Sequence, residues 1–364
     1  MNAIVCRILL AGAVLCSPLL AANGSFLGPM HTIKAHASTV PQNGDVNPYG
    51  VAIVTRSAGR LEEGHVLVSN FNNAANLQGT GTTIVQVSPG DGSAKLFAQI
   101  NAGQLPGPCP GGVGLTTALV VLKSGWVIVG SLPTRDGTAA TAAAGCLIVL
   151  NSAGRVVETF SGGDINGPWD MTALDMGTNA VLFVTNVLNG TVAAGGQTTS
   201  GGTVLRIELS IPAGGMPAEK SRTIVGSGFA ARTDPAALVI GPTGVGLGAR
   251  DTLYVADTVN SRIAAIENAT TRTTSAGTGV TVSGGGALNA PLGLVIAPNG
   301  DILTANGGDG NMVETTPAGV QNAVKSVDVT QTGAGVLFGM GVRLEGDPGV
   351  YFVNDGNNTL DLLH

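Results

Sequence analysis

The chain has 364 residues, of which 44% are hydrophobic, 11% charged and 4% aromatic, with 56 glycines and a formal net charge of -6. High apolar content at low net charge excludes a disordered chain, and the abundance of Gly, Val, Thr and Ala suits tight turns and strands rather than helices, so an all-β protein is expected. No Lys/Arg cluster is present, so the electrostatic footprint for a phosphate backbone is missing and nucleic acid is excluded as an expected partner.

Residues 1–22 read as a secretory signal: Arg7 supplies a positive start, Ile8 to Leu20 an apolar stretch, and Ala21 and Ala22 small residues for cleavage. The stretch is too short to span a bilayer, and no later segment has the length of a membrane span. The expectation is an exported protein, periplasmic or extracellular, with residues 23–364 as a single domain. Removal of the leader takes Cys6 and Cys16 with it. Cys109 and Cys146 then remain; they either pair in an oxidising compartment or stay as two free thiols.

MHTIKAH, residues 30–36, is strand-like and precedes a series of repeats. Apolar runs ending in a polar residue recur as VLVSN to Asn70, VIVGS to Ser131, LFVTN to Asn186, LYVAD to Asp257, ILTAN to Asn306 and YFVND to Asp355. Their spacing of roughly 50 to 70 residues falls in the range of propellers and arrays. Each is preceded by a run of Pro, any residue, Gly, then alternating apolar and small residues, as in NPYGVAIV from Asn47, GPTGVGLG from Gly241 and APLGLVIA from Ala290. GPWDMTAL from Gly167 is a further version, with Asp170 in place of the glycine, and GLTTALVV from Gly114 and VLFGMGV from Val336 are weaker ones. A third apolar run follows each corner, and Gly/Pro turns then lead to a fourth. Six units of four strands describe a six-bladed β-propeller of antiparallel blades, at roughly 47–100, 112–160, 165–226, 234–277, 288–328 and 333–364. The last unit ends after its third strand, so the strand at 30–36 is expected to complete it and close the ring.

GPTGVGLG followed by DTLYVADTVNSRIAAI, Gly241 to Ile266, resembles the NHL-repeat family, and units one and five resemble it more loosely. The resemblance implies a six-bladed propeller used as a binding surface, without implying one activity.

In such a fold the corners after the second strands and the loops before the first share one face. Asn70, Ser131, Asn186, Asp257, Asn306 and Asp355 are expected to ring that face, either as oxygen ligands or as turn-stabilising side chains. Asp170 replaces the repeat glycine in unit three and brings a carboxylate near the axis, where it needs a partner, water or a cation. Asp170, Asn186, Asp257 and Asn306 are therefore the candidate ligands for Ca²⁺ or Mg²⁺. Long loops in units one to three bring Asn72, Asn73, Asn76, Arg135, Asp136 and Asn189 to the same face; with Asn70 and Trp169 these are the candidate binding surface. Only His31, His36, His65 and His364 exist, none at a corner, which argues against a histidine zinc site or base there. Two functions compete: a monomeric binding module for a protein, peptide or glycan, and a Ca/Mg-dependent propeller enzyme of lactonase or lyase type.

Overall fold

The computed structural model describes residues 24–330 and 332–364; the leader at 1–22, with Cys6 and Cys16, lies outside the described residues. Strand β1 (Ile33–Ser38) is followed by six antiparallel sheets around one axis. Blade one comprises β2 (Val46–Ile53), β3 (Val66–Asn72), β4 (Thr83–Val87) and β5 (Ala94–Gln99). Blade two comprises β6 (Leu115–Val121), β7 (Val127–Ser131), β8 (Leu147–Leu150) and β9 (Val156–Phe160). Blade three comprises β10 (Pro168–Asp175), β11 (Asn179–Asn186), β12 (Thr199–Ser210), β13 (Ala218–Asp234) and a short fifth strand, β14 (Leu238–Ile240). Blade four comprises β15 (Pro242–Leu247), β16 (Leu253–Asp257), β17 (Arg262–Ile266) and β18 (Val280–Gly284). Blade five comprises β19 (Pro291–Ile296), β20 (Ile302–Asn306), β21 (Asn311–Thr315) and β22 (Gln321–Ser326). Blade six comprises β23 (Leu337–Arg343), β24 (Gly349–Asn354) and β25 (Thr359–Leu363), completed by β1.

Burial explains the sequence pattern. Blades stack face to face, so the middle strands β3, β4, β7, β8, β16 and β20 are buried along their whole length. Strands covered on both sides read as unbroken apolar runs bounded by turn residues. The outer strand β22 has one face in water and alternates in exposure. The described residues include no helix long and apolar enough to cross a membrane.

The ring closes through β1, which pairs antiparallel with β25 from Ile33↔Leu363 to Ser38↔Thr359. The closing strand thus sits a few residues later than 30–36. Upstream of it, Glu314 on β21 holds the chain: Ser25 Oγ donates to its Oε2 at 2.5 Å, and the Phe26 and Leu27 N–H groups donate at 2.7 Å. Cys109, before β6, is disulfide-bonded to Cys146, before β8.

Three boundaries differ from the sequence pattern. Blade four's outer strand is Val280–Gly284, beyond 277, because Thr270–Gly279 form turns rather than a strand. Blade three runs past 226 to Ile240 through the long β13 and its partner β14. In blade six, the corner residue is Asn354 rather than Asp355: Leu337 pairs with Asn354, as Pro291 does with Asn306 and Pro242 with Asp257. A one-residue slip in a strand turns every side chain over.

Candidate functional site

The pairings that set the corners also align the innermost strands. Pro48, Leu115, Pro168, Pro242, Pro291 and Leu337 each face a corner residue. Two residues on, four blades carry Gly50, Gly244, Gly293 and Gly339. A Cβ on Gly244 would lie 2.5 Å from Leu292 O of the next blade, and one on Gly293 or Gly339 would strike Phe338 O or Tyr49 O. Crowding at the axis therefore fixes glycine there. The other two positions hold Thr117 and Asp170, on neighbouring blades two and three.

Asp170 is 8% exposed. Its Oδ1 accepts from Met171 N–H at 2.8 Å and its Oδ2 from Val245 N–H of blade four at 3.1 Å. Its own N–H donates to Thr185 Oγ1 at 3.0 Å, and Thr185 in turn donates to Thr243 O at 2.8 Å, which ties blade three to blade four. Burial pushes the Asp170 carboxyl up to about 8, against the pull of its two N–H donors. The Thr117 hydroxyl, also buried, has no hydrogen-bond partner.

Both residues line an axial channel of about 540 Å³, walled by Val245, Leu294, Met340 and other apolar residues. Thr55, Lys123 and Asp175 at its rim show that it opens where the innermost strands end. The opposite end, where the corners lie, is closed. There Tyr49 stacks on Phe71 and Phe338 at centroid distances of 4.3 and 3.9 Å, with Trp169 6.4 Å away. Over this plug lies the β13–β14 hairpin, whose Leu238, Val239 and Ile240 are buried in the same cluster. Trp169 Nε1 donates to Val239 O at 3.0 Å, and Gln78 Nε2 of blade one donates to Pro235 O at 2.8 Å. The hairpin is a fixed cap, and the candidate site faces the other way.

The corner side chains are fully buried and engaged within their own blades. Asn70 donates to Thr39 O and Thr83 Oγ1; Ser131 donates to Gly112 O; Asn186 accepts from Asn166 N–H. Asn306 donates to Ala287 O, and Asn354 to Asp328. In these five blades the corner residue locks the segment that leads into the first strand. Asp257 instead forms an ion pair with Arg262 Nε at 2.7 Å and accepts from Asn260. Asp170, Asn186, Asp257 and Asn306 thus share no partner, and no three His, Cys, Asp or Glu converge among the described residues.

Of the loop residues, Asn73 caps the Ala75 and Leu77 N–H groups, Asp136 accepts from Thr138 and Thr141, and Asn189 bonds Asn166 and Gly201. Arg135 is exposed, whereas Asn72 is buried and donates to Asn76 Oδ1 at 2.7 Å. Trp169 belongs to the plug. Thr117 went unmarked in the sequence; its signal is the missing glycine of unit two, the same kind of departure that singles out Asp170.

A scan against models of protein families finds no match, and neither does a search among curated proteins. Solved structures do share the fold. A luciferin-regenerating enzyme superposes with a TM-score of 0.57 over 91% of this chain and 94% of its own, at 10% identity. A gluconolactonase from Xanthomonas campestris gives 0.54 over 93% and 90%, at 12% identity. Virginiamycin B lyase from Staphylococcus aureus gives 0.54 over 91% and 98%, at 14% identity. These likenesses establish the six-bladed architecture and carry no residue-level correspondence.

Proposed function

We propose that this chain is an exported propeller enzyme that admits a small, largely apolar substrate to the axial channel and acts on it through Asp170 as proton donor. The observation that carries this reading is a carboxyl held protonated near neutral pH inside a channel of ligand size. The Thr117 hydroxyl at the equivalent position of the preceding blade is free to orient a substrate oxygen. The similar structures include a gluconolactonase and a lyase, which supports a hydrolase or lyase reaction at the level of fold alone. Export is supported by the leader pattern and the Cys109–Cys146 disulfide. The NHL-type description of the repeats rests on the corner motif. Asp170, Asn186, Asp257 and Asn306 do not form one Ca²⁺ or Mg²⁺ site: they share no partner, Asp257 faces a guanidinium, and Asn186 Oδ1 accepts from Asn166 N–H. No step therefore passes through a metal.

Hydrolysis of neutral aryl esters and lactones by the oxidised mature chain tests the reading. The rate should fall above about pH 8 as Asp170 ionises, and Asp170→Asn should be slower by about 100-fold or more. Equal rates in the two proteins would sink it.

The corner side chains turned back into their own blades favour a second reading, a binding module for a protein, peptide or glycan. Thr134 Oγ1 donates to Gln78 O at 2.5 Å and Thr134 N–H to Gly79 O at 2.9 Å, so the loops of blades one and two form one ridge. The exposed Arg135 stands on it, and loss of capture by Arg135→Ala on a peptide or glycan array is the outcome this reading expects.

A further inference from the structure

Beside the capped end of the axis, a second cavity of about 420 Å³ lies between blades one and six. Its walls include Asn47 on β2, Asn72 at the end of β3, Gln78 on the next loop, Ala236 on the hairpin, and Asp355 and Asn358 after β24. Where the channel is largely apolar, this cleft is built from amides and one carboxylate.

Three carbonyl oxygens in these walls are buried without a hydrogen-bond partner: Oδ1 of Asn47, Oδ1 of Asn72 and Oε1 of Gln78. Asn47 and Asn72 are 7% and 2% exposed. Leaving one such acceptor unpaired costs about 1–3 kcal/mol, so three in one cleft demand an explanation. The orientation of the Gln78 amide follows from its NH₂ group. Gln78 Nε2 donates to Pro235 O, and a flipped amide would turn oxygen against oxygen there. Asn72 Nδ2 donates to Asn76 Oδ1. Asn358 Oδ1 accepts from Asn47 N–H at 2.7 Å. Asn47, Asn76 and Asn358 have φ of 61°, 57° and 57°, so their backbone alone favours Asn. Asn72, Gln78 and Asp355 have no such reason to be there. Asp355 takes part in none of the ion pairs among the described residues.

We propose that this cleft binds a hard divalent cation of the size of Ca²⁺ through the side-chain oxygens of Asn47, Asn72, Gln78 and Asp355, with water completing its shell. The unpartnered buried atoms of the walls are all acceptors. A sugar hydroxyl or a peptide N–H meets one acceptor for each proton it donates, whereas a single cation satisfies several oxygens together. Amide and carboxylate oxygens are the ligands Ca²⁺ takes, in a flexible geometry that Mg²⁺ does not accept. A single carboxylate sets a weak site, with Kd of about 10⁻⁴–10⁻³ M, as in extracellular modules. The ligands come from blade one and blade six, so the ion would clamp the seam at which the two ends of the chain meet. The site is separate from the axial channel and does not depend on the reaction proposed there.

Chelator-treated, oxidised mature chain is titrated with CaCl₂ by calorimetry and by thermal unfolding, against MgCl₂ and NaCl at matched ionic strength. Ca²⁺ is expected to raise the melting temperature and to release or absorb heat with a stoichiometry of about one. Gln78→Leu and Asp355→Asn should each weaken binding about tenfold or more, while Glu345→Gln, an exposed carboxylate elsewhere, should bind as the parent does. No response to Ca²⁺ at about 10 mM, a response no larger than that to Mg²⁺ and Na⁺, or unchanged affinity in both cleft variants would each overturn the proposal.

Discussion

Asp170 shows how one substitution in a repeat changes what a position does. Four blades need glycine at the axis because a Cβ would meet the neighbouring strand. In blade three the carboxylate reaches across and takes the Val245 N–H, so the crowding becomes a contact between blades. The group is shifted from 3.8 to about 8, so the folded chain holds this proton more tightly than the unfolded one. Stability from this group is therefore complete below about pH 4 and is lost as pH rises to about 8. At 1.36 kcal/mol per pKa unit the ceiling on that loss is about 5–6 kcal/mol. Asp170→Asn, which cannot ionise, should flatten the fall in urea-unfolding stability across this window. Parallel curves for the two proteins would mean that Asp170 stays ionised and solvated, and its role as proton donor would go with it.

The strands were legible because burial on both faces writes them as unbroken apolar runs, and VLVSN, LYVAD and ILTAN end where β3, β16 and β20 end, to within two residues. The cap was not. AEKSRTIVGSGFAARTD, the whole of β13, has no single period, because its pairing with β12 shifts register several times up to Ala231 and its last residues, Arg232–Asp234, pair with β14 over the axis. That hairpin decides which end of the channel is open, and of the two roles the sequence leaves to the corner residues, oxygen ligands or turn-stabilising groups, the structure uses them as local locks. Asp170 was visible as a departure from Pro-x-Gly; Gln78 was not, since nothing nearby in sequence shows that Pro235 will take its NH₂ group. At the same scale stands the disulfide, which closes 37 residues of blade two, including the loop before β8. In the chain-entropy treatment a cross-link of that span stabilises by about 4 kcal/mol. A Cys109→Ala/Cys146→Ala chain should lose about that much in urea unfolding, and an unchanged midpoint would show that the loop is held by its packing instead.

For the whole molecule the decisive feature is how the ring stays shut. A propeller's blades meet through side-chain packing, and the seam between its first and last blades holds only if both ends of the chain are fixed. Here β1 supplies the outer strand of blade six, and the residues before it are tied to blade five. Glu314, fully buried, accepts from Ser25, Phe26 and Leu27, and Lys325 Nζ donates to Gly28 O at 2.9 Å. Burial works to raise the Glu314 carboxyl, but the hydrogen bonds from Ser25, Leu27 and Phe26 prevail and hold it below its ordinary value. A carboxyl lowered on folding stabilises above its unfolded value and loses that contribution as pH falls through the folded one. The latch should therefore loosen in acid, below the usual carboxylate range, before the blades themselves unfold. Glu314→Gln removes the charge and should cost about 1–3 kcal/mol. Hydrogen exchange separates a latch from a general loss of stability: the variant should exchange faster at Leu27 and across Ile33–Ser38 while β16 and β20 keep their protection. Should Ile33–Ser38 exchange at the parent's rate, the pairing of β1 with β25 alone keeps the ring closed, and Glu314 is a passenger at the seam.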